Sequence, residues 1–456
     1  MTAVADVQPL AAVPVPARAA RAHPQAILAV IALGALAAVG WWWHDTPSAS
    51  GLGEWLTNAG RILGLLAGYA IVVLVALMAR IPPLELGIGA DRLARWHSMG
   101  GRYTVGLVVG HALFITWGYA VSAHTNVVSQ TKMLLTSYPD VLMATVAGLL
   151  LVGVGISSAR AARRRLRYET WYYLHFYTYL AVALAFSHQF ADGAEFMTHL
   201  GARIIWGGMY AAVAGAILWY RFLTPVRQAF RHRLRVESVH DEAPGVVSVV
   251  ISGRYLTELG AQAGQFFRWR FLTRDLWWTA APYSLSAAPQ PSGMRITVKS
   301  LGDHSASLAR VRPGTRVIAE GPYGAMTAEA RRKRKVLLMA GGVGITPLRA
   351  LFQTVHASPG DLTLVYRARS EQDLVFREEL QALAKQRSAN LHFVVGSRTE
   401  LGRDPLSAAA LRVNVPDLPA HEVYLCGPPG MTEAVRRALR AAGVPQRQIH
   451  SESFEL

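Results

Sequence analysis

Four histidines have the residue type and the spacing to bind metal. His97 and His111 lie 14 residues apart in one apolar stretch, and His175 and His188 lie 13 residues apart in another. On a helix that rises about 1.5 Å per residue, each pair spans about 20 Å. The hydrocarbon core of a membrane is roughly 30 Å thick, so each helix would carry one histidine near each leaflet. Two such helices would offer two pairs of imidazoles as axial ligands for two b-type haems.

The two spacings do not fit a helix equally well. At about 100° per residue, a spacing of 14 returns to within roughly 40° of the same face, but a spacing of 13 misses it by about 140°. The second helix must therefore be locally tightened, or its haems rotated. The alternative interpretation is a set of histidines that form hydrogen bonds between helices. Four ionisable groups in two matched pairs are costly to place in a membrane, which favours a function.

Composition agrees with a membrane protein that carries cofactors. Hydrophobic residues make up 52% of the 456 residues, and the mean hydropathy is +0.23. The single cysteine excludes an intrachain disulfide and an iron–sulfur cluster bound by this chain alone. The net charge of +17 does not indicate nucleic acid, because the arginines cluster beside apolar stretches.

The apolar stretches predict six membrane spans. A disordered cytoplasmic tail (residues 1–26) precedes the first, Ile27 to Trp43, which could instead be a signal peptide. The others are Arg61 to Arg80, about Trp96 to Tyr119, Val141 to Ser157, Tyr168 to Phe190 and Arg203 to Phe222, with loops at residues 81–95 and 120–140. Five arginines within eight residues should face the cytoplasm: Arg160, Arg163, Arg164, Arg165 and Arg167. We expect a multi-pass protein of the plasma (inner) membrane with both termini in the cytoplasm, His97 and His175 near the inner leaflet, and His111 and His188 near the outer one.

The sequence after the last span predicts two soluble domains. Alternating strand patterns punctuated by turns indicate a small antiparallel β-barrel over residues 232–325. Residues 335–456 alternate buried strands with helices, which predicts an α/β domain with a parallel sheet. The fold class is therefore multi-domain: a six-helix transmembrane bundle over residues 27–222, a barrel, and an α/β domain.

Two segments of the barrel suit a cofactor with an aromatic ring and a phosphate. Ala281 to Ser286 ends a strand with a ring-stacking candidate, Tyr283, beside Pro282 and the hydroxyls of Ser284 and Ser286. Gly302 to Ser305, which includes His304, opens a short helix whose free amides suit a pyrophosphate. Taken alone, the first segment is weak evidence, and the second is better explained as an ordinary turn and helix cap.

The α/β domain contains a stronger signal for a nucleotide. A glycine-rich turn between a strand and a helix lets the backbone approach a phosphate; its candidate residues are Gly341, Gly342, Gly344, Thr346 and Pro347. After the next strand, Arg367, Arg369 and Ser370 stand where an acidic residue would select NADH, which favours NADPH. A solvated basic loop is the alternative for either arginine.

Two further segments lie where a ligand would meet the sheet. Cys426 and Gly427 end a strand at the carboxyl edge, where open α/β sheets bind ligands, although a lone cysteine is usually a small buried residue. Phe454 near the C-terminus could pack in the core or cover a cofactor face.

Together these motifs resemble two joined families. From about Ile27 to Leu456 the chain is similar to the ferric reductase and NADPH oxidase superfamily, followed by a module like ferredoxin–NADP reductase. The resemblance extends to the histidine spacings of 14 and 13. It implies that Tyr283 stacks on FAD, that Ser284 bonds near the flavin N5, and that Gly302 to Ser305 contact the pyrophosphate. Ala281 stands where the family commonly has Arg or His.

The resemblance also implies roles near the hydride. Gly341 to Pro347 and Cys426 to Met431 would form the nicotinamide site, with Cys426 close to the hydride path and Phe454 shielding the flavin. We therefore expect catalytic roles for Cys426, Phe454 and Ser284, and cofactors FAD, NADPH and two b-type haems.

These expectations describe an electron path across the lipid bilayer, from cytoplasmic NADPH to a small-molecule acceptor outside. Dioxygen would give superoxide, and a ferric chelate would give Fe(II). The alternatives are a haem electron-transfer subunit that serves a partner, and a flavin reductase for which the spans are only an anchor. The sequence leaves the oligomeric state open.

Overall fold

The computed structural model describes residues 22–159, 165–166, 168–193, 196–197, 199–397, 399–402 and 404–452. It contains two compact units. One unit comprises Ala22–Leu84 and Arg92–Phe222, and the other comprises Leu223 onward together with Glu85–Asp91. Four of the five clustered arginines (Arg160, Arg163, Arg164 and Arg167), Phe454 and most of the predicted N-terminal tail lie outside the described residues.

The first unit is helical. Its helices are α1 (Pro24–Asp45), α2 (Leu52–Leu77), α3 (Pro82–Ile88, which crosses into the second unit), α4 (Ala90–Ser122), α5 (Val127–Ser137), α6 (Val141–Ser158), α7 (Tyr168–Asp192) and α8 (Leu200–Ile217). A π-helical turn, Leu218–Leu223, leads into α9 (Thr224–His232). Within the described residues, five helices are long and apolar enough to cross a membrane: α1, α2, α4 from Arg92, α6, and the run Leu200–His232.

The helix α7 is the sixth predicted span, and it is not one of these five. Its 25 residues would reach across a bilayer. Its first turns, however, carry Glu169, Thr170 and a series of tyrosines, which lower its hydropathy. The described residues thus contain five apolar helices and one long, aromatic-rich helix.

Two predicted loops are wrong, because each contains a helix. The segment after α2 forms α3, since Pro82 and Pro83 occupy the first helical turn, where proline needs no amide hydrogen. The first turns of α4 then fill the rest of that loop. The segment before α6 forms α5, whose N-terminus is capped by the Asn126 side chain accepting from Ser129 N at 2.9 Å. The start of α1 at Pro24 also shortens the predicted tail.

The strands after α9 form two antiparallel sheets. Their strands are β1 (Arg235–Ala243), β2 (Val246–Ser252), β3 (Phe266–Phe271), β4 (Ala281–Ser284), β5 (Gly293–Lys299) and β6 (Val317–Tyr323), in the orders β1-β2-β5 and β4-β3-β6. Isolated bridges, Leu285 to Ile296 and Arg235 to Arg316, join the two sheets. The predicted antiparallel strands are present, but in the described residues single bridges replace the continuous ladder of a closed barrel. Inward side chains such as Phe267, Trp269 and Phe271 fill the space between the sheets.

The last part is a five-stranded parallel sheet. Its strands are β7 (Lys335–Gly341), β8 (Leu362–Ala368), β9 (Asn390–Val395), β10 (His421–Cys426) and β11 (Ile449–Glu452), in the order β11-β10-β7-β8-β9. Its helices are α11 (Ile345–Thr354), α12 (Arg377–Arg387), α13 (Ala408–Asn414) and α14 (Pro429–Ala441); α10 (Asp303–Ser307) belongs to the preceding sheets.

The central strand β7 buries both of its faces. Leu338 and Ala340 pack in one core with α11 and α12, whereas Leu337 and Met339 pack in another with α13 and α14. The strand order reverses between β7 and β10, so the loops after these two strands flank the crevice at which such sheets bind ligands.

Candidate functional site

The four histidines meet as two pairs between α4 and α7. The ring centroids of His97 and His175 are 5.9 Å apart, and those of His111 and His188 are 6.4 Å apart. The structure thus brings together the same pairs that the sequence places at a common depth. The helix α7 is α-helical throughout, so the spacing of 13 residues involves no local tightening.

Hydrogen bonds fix the orientation of three of these rings. His97 Nδ1 donates to the Leu74 carbonyl at 3.0 Å, and His111 Nδ1 donates to the Gly60 carbonyl at 2.8 Å. His188 Nδ1 donates to Asp192 Oδ2 at 3.0 Å. A histidine that binds a metal through one ring nitrogen usually donates the other N–H in this way. In all three, Nε2 is left for a ligand.

The fourth ring differs. Nδ1 of His175 is buried and has no acceptor among the described residues. The ring instead lies against Trp171, with the two centroids 5.2 Å apart. Packing against an indole therefore takes the place of a hydrogen bond in holding His175.

A face of glycines on α2 lets neighbouring side chains pack closely against the helix, and Gly64 makes room for His111. Gly60, Gly64 and Gly68 recur every four residues, which places them on one side of the helix. A Cβ on Gly64 would lie 2.6 Å from His111 Nδ1, and a Cβ on Gly68 would lie 2.9 Å from the Trp206 ring. Small residues at this spacing let membrane helices approach closely.

The geometry fits haem better than a metal ion held by the protein alone. An imidazole nitrogen binds a first-row metal at about 2 Å, so two rings on opposite sides of one iron have centroids about 6 Å apart. Both observed pairs agree with that separation. In the described residues, no group of three or more His, Cys, Asp or Glu side chains is placed to hold a metal ion.

The predicted flavin segment forms β4. Tyr283 is half-buried, and its hydroxyl lies 3.4 Å from His304 Nδ1. Burial raises the pKa of the Tyr283 phenol and lowers the pKa of the His304 imidazole, while the Thr279 backbone opposes the second shift. At neutral pH both the phenol and the imidazole are therefore uncharged.

The two serines of this segment have different surroundings. Ser284 Oγ is buried and has no hydrogen-bond partner in the described part of the chain, which fits a site for a polar cofactor atom. Ser286 Oγ instead accepts from Thr297 Oγ1 at 2.8 Å, and Thr297 also contacts Ser248 Oγ at 2.7 Å. The Ser286 side chain is thus part of a buried hydroxyl chain. Pro282 is half-buried and pairs with Arg268 of β3.

The predicted pyrophosphate segment is a tight turn. Ser305 Oγ accepts from Gly302 N at 3.1 Å and from Leu301 N at 2.9 Å. The helix that follows, α10, has only five residues, so its dipole is small. Gly302 remains exposed, and a Cβ there would meet no neighbouring atom.

The two predicted nicotinamide segments pack against each other at the crevice. A Cβ on Gly344 would lie 2.4 Å from the Cys426 carbonyl oxygen, and a Cβ on Gly427 would lie 3.2 Å from Gly341.

Gly342 has a φ of +52° and open surroundings, so its backbone is accessible to a phosphate. Thr346 and Pro347 are buried in the first turn of α11. The Cys426 side chain is fully buried in the core with α11.

Two of the three predicted coenzyme-binding residues at the end of β8 form hydrogen bonds within the protein, and the third is exposed. The Arg367 guanidinium donates to the carbonyls of Val394 (3.0 Å), Ala368 and Gly396. Ser370 Oγ donates to Asp373 at 2.9 Å. Arg369 is exposed. Of the two predicted 2′-phosphate ligands, Arg369 is therefore the accessible one.

Comparison with known proteins agrees with these two parts. Residues 63–186 match the family described as ferric reductase like transmembrane component, and residues 338–437 match the oxidoreductase NAD-binding domain. The ferredoxin–NADP reductase B of Sorangium cellulosum is 30% identical over 191 residues, which cover 38% of this chain and 77% of that protein. The chain joins a ferric reductase-like transmembrane domain to a ferredoxin–NADP reductase module.

Other relatives of the reductase module are partial matches. The glycine betaine monooxygenase reductase subunit of Chromohalobacter salexigens is 32% identical over 38% of this chain, and the chain spans only 50% of that relative's length. The solved ferredoxin NADP+ reductase of Neisseria gonorrhoeae, with bound FAD and NADP, is 19% identical over 49% of this chain and 99% of that one, with a TM-score of 0.40.

Several residues escaped the sequence analysis. In the ferric reductase-like domain these are Asp192 and the glycines of α2. The four-residue recurrence of Gly60, Gly64 and Gly68 was a readable signal of close helix packing. The position of Asp192, four residues after His188, was a readable signal of a contact between the two side chains, because residues at this spacing are neighbours on a helix.

Proposed function

We propose that this protein transfers electrons from cytoplasmic NADPH to dioxygen on the opposite side of the membrane, using FAD and two b-type haems. One NADPH would supply two electrons and reduce two dioxygen molecules to two superoxide anions, leaving NADP+ and one proton in the cytoplasm. The proposal extends the family assignment, which covers the transmembrane and nucleotide-binding parts, to the cofactors between them and to the acceptor.

The observation that carries the proposal is the pairing of the four histidines. His97 with His175, and His111 with His188, present two imidazoles each at a separation suited to one iron. Three rings have the Nδ1–H engaged, so Nε2 is the free nitrogen. Two such sites along one helix pair are what a transmembrane electron path requires.

The flavin would be held by Tyr283 and Ser284, with Gly302 and Ser305 near its phosphates. When bound, FAD would take two electrons as a hydride and pass them on singly, as haem iron requires. The Tyr283 ring supplies an apolar surface, and the buried Ser284 hydroxyl supplies a hydrogen bond that it does not make within the described protein.

The nucleotide would lie in the crevice between the loops after β7 and β10. The backbone around Gly342 can receive a phosphate, and Arg369 can pair with the 2′-phosphate that distinguishes NADPH from NADH. Gly344 and Gly427 keep the crevice free of side chains, so that the nicotinamide can reach the strand end.

The proposed topology has six spans, with α7 as the fifth. An aromatic-rich start suits a membrane interface, and His175 and His188 give α7 a reason to be less apolar than its neighbours. Arginines after α6 and after α8 would lie in the cytoplasm, as would both termini, in the plasma (inner) membrane. His97 and His175 then form the inner site.

The decisive experiment uses sealed vesicles with the reductase module facing outward and NADPH added outside. We expect cytochrome c enclosed in the lumen to be reduced, and enclosed superoxide dismutase to abolish that reduction. Ferric chelate reduction that is insensitive to the dismutase would instead identify a ferric reductase. His97→Ala and His188→Ala should each abolish transfer while NADPH still reduces the flavin. If lumenal reduction survives both substitutions, or if dithionite produces no b-type haem bands, the proposal is wrong.

A further inference from the structure

The reductase module consists of two lobes joined by a partly buried polar link. The flavin lobe contains β1–β6, and the nicotinamide lobe contains β7–β11. Along the chain they are connected through residues 324–334. Four side chains form the interlobe link: Arg295 from the flavin lobe, and Arg349, Gln353 and Glu379 from the nicotinamide lobe.

The carboxylate of Glu379 is the centre of the link. Arg295 Nη2 donates to its two oxygens at 3.1 and 3.2 Å, across the boundary between the lobes. Arg349 donates to the same carboxylate from within the nicotinamide lobe. Two guanidinium groups therefore share one acid, and the acid has no remaining freedom to rotate without losing one of them.

A second path across the boundary runs through Gln353. Its Oε1 accepts from Ala288 N of the flavin lobe at 3.0 Å and also from Arg349 Nη1. Arg295 Nη2 reaches back to the Ser286 carbonyl at 3.0 Å. Backbone atoms just after the flavin segment are thus tied to two helices of the other lobe.

The link is partly buried: the Arg295 and Glu379 side chains are 21% and 32% exposed, and Arg349 is more enclosed. Arg349 is 5% exposed. Burial lowers the pKa of Arg349 to about 10, with Glu379 opposing and Arg295 reinforcing the shift. The side chain is still charged at neutral pH. Glu242 adds a further electrostatic attraction for Arg349. The Arg295 guanidinium lies over the Phe376 ring, 4.7 Å from its centroid, a cation–π contact that stabilises its positive charge.

Apolar contacts alone would not set the angle between the lobes. Val246 and Ala263 of the flavin lobe pack into the same core as Leu351 and Phe352 of α11. Apolar contacts hold the two lobes together but have no preferred direction, whereas guanidinium–carboxylate hydrogen bonds fix the orientation of one lobe relative to the other. Arg349 and Gln353 stand on the helix that the glycine-rich turn opens, so a rotation there would move Gly342 and Thr346 relative to Ser284.

We propose that the interlobe link of Arg295, Arg349, Gln353 and Glu379 positions the nicotinamide lobe for hydride transfer to the flavin. These are positioning residues, since none belongs to the segments that would touch either cofactor. The inference rests on the proposed function only for hydride transfer from NADPH to FAD, and not for the haems or the acceptor.

The test is pre-steady-state reduction of the flavin in the full-length protein. Glu379→Gln keeps the size of the side chain but removes the charge that orients both arginines. We expect the limiting rate of flavin reduction by NADPH to fall about 10- to 100-fold, as small misplacements of reacting groups do. The Kd for NADPH and the FAD content should be unchanged, and the isotope effect with deuterated NADPH should increase.

Glu371→Gln is the matched control. Glu371 pairs with Arg377 at the exposed start of the same helical region, 60% and 49% exposed, and should leave flavin reduction unchanged. Arg349→Lys provides a second variant, because it keeps the charge but cannot donate to Glu379 and Gln353 through one planar group. It should slow reduction in the same direction.

The outcomes separate this inference from the electron path. A wild-type rate in both variants would overturn the inference, and so would loss of FAD in parallel with the rate, which indicates a general structural role. A slow Glu379→Gln variant in a protein whose haems are never reduced by NADPH would support the link while contradicting the proposed transmembrane function.

Discussion

Gly64 lies against the imidazole of His111 so closely that a Cβ atom would come 2.6 Å from Nδ1. The same ring donates to the carbonyl of Gly60, one turn earlier on α2. One face of α2 therefore both orients the histidine and leaves space for it. Two glycines that carry no chemistry of their own thus control a proposed iron ligand.

Gly64→Ala should lower haem content. The added methyl group must push α4 away or rotate His111, and overpacking of this kind costs about 1–3 kcal/mol. We expect the haem-to-protein ratio to fall towards one, measured by the pyridine haemochrome spectrum. Gly106→Ala on α4, where a Cβ meets no atom within 4 Å, is the control and should retain both haems.

Asp192→Asn should affect the proposed outer haem alone. His188 is the one histidine of the four whose Nδ1 donates to a carboxylate; His97 and His111 use main-chain carbonyls. Loss of such a partner commonly weakens metal binding about 10- to 100-fold. We expect a redox titration to show one haem shifted to higher potential or depleted. Equal shifts of both haems would contradict this assignment.

Ser284→Ala should affect flavin reduction, whereas Ser286→Ala should affect folding stability. Ser284 has a buried hydroxyl without a partner in the described residues, so its removal should not destabilise the protein without flavin but should slow flavin reduction about 2- to 10-fold. Ser286→Ala breaks the bond from Thr297 and should cost about 1 kcal/mol of folding stability. Thermal unfolding and stopped-flow reduction, measured on both variants, distinguish the two roles.

Arg369→Ala should reduce the preference for NADPH. Its exposed guanidinium is the accessible cation after β8, so we expect KM for NADPH to rise about tenfold, with little change for NADH. Arg367→Ala should instead lower Tm with both coenzymes, because its guanidinium bonds three main-chain carbonyls. A coenzyme switch in Arg367→Ala with unchanged stability would reverse these assignments.

His421 should make strand β10 less stable in acid. Burial is the main cause that lowers the pKa of His421, and Lys335 adds to it, while the Asp417 carbonyl and carboxylate and Asp361 oppose it. As the pH falls, His421 therefore takes up a proton in the unfolded chain before it does so in the folded one. The stability that the neutral, buried His421 contributes is fully present above about pH 6.5, and it is lost as the pH falls towards the lower pKa of the folded state. Hydrogen exchange of the β10 amides should accelerate below pH 6.5, and less so in His421→Gln.

Regular spacing made the pairing of the four histidines predictable. A helix fixes the rise per residue, so positions 97, 111, 175 and 188 predict two pairs of histidines at two different depths in the membrane. The structure brings together those same pairs. The hydrogen-bond acceptors of the histidine Nδ1 atoms were not predictable. Every residue has a main-chain carbonyl, so the residue type of Leu74 does not show that its carbonyl accepts a hydrogen bond.

Local patterns predicted the parallel sheet well and the flavin lobe less completely. Strands β7, β8 and β10 each contain an apolar run and are followed by glycine or arginine, as buried parallel strands tend to be. The bridges that join the two antiparallel sheets depend on residues distant along the chain, such as Arg235 and Arg316. The interlobe link was invisible for the same reason, since Arg295 and Glu379 are far apart in sequence and look like ordinary surface charges.

The contact between Gly344 and the Cys426 carbonyl has a consequence for how this enzyme can diversify. Main chain from two loops forms the floor of the crevice, and a Cβ added at Gly344 or Gly427 would come within 3.2 Å of the other loop. Arg369, by contrast, is on an exposed loop that tolerates substitution. Under the proposed function, descendants of this sequence could therefore exchange one coenzyme for another through mutations at the exposed loop, while the closely packed glycines are inherited unchanged.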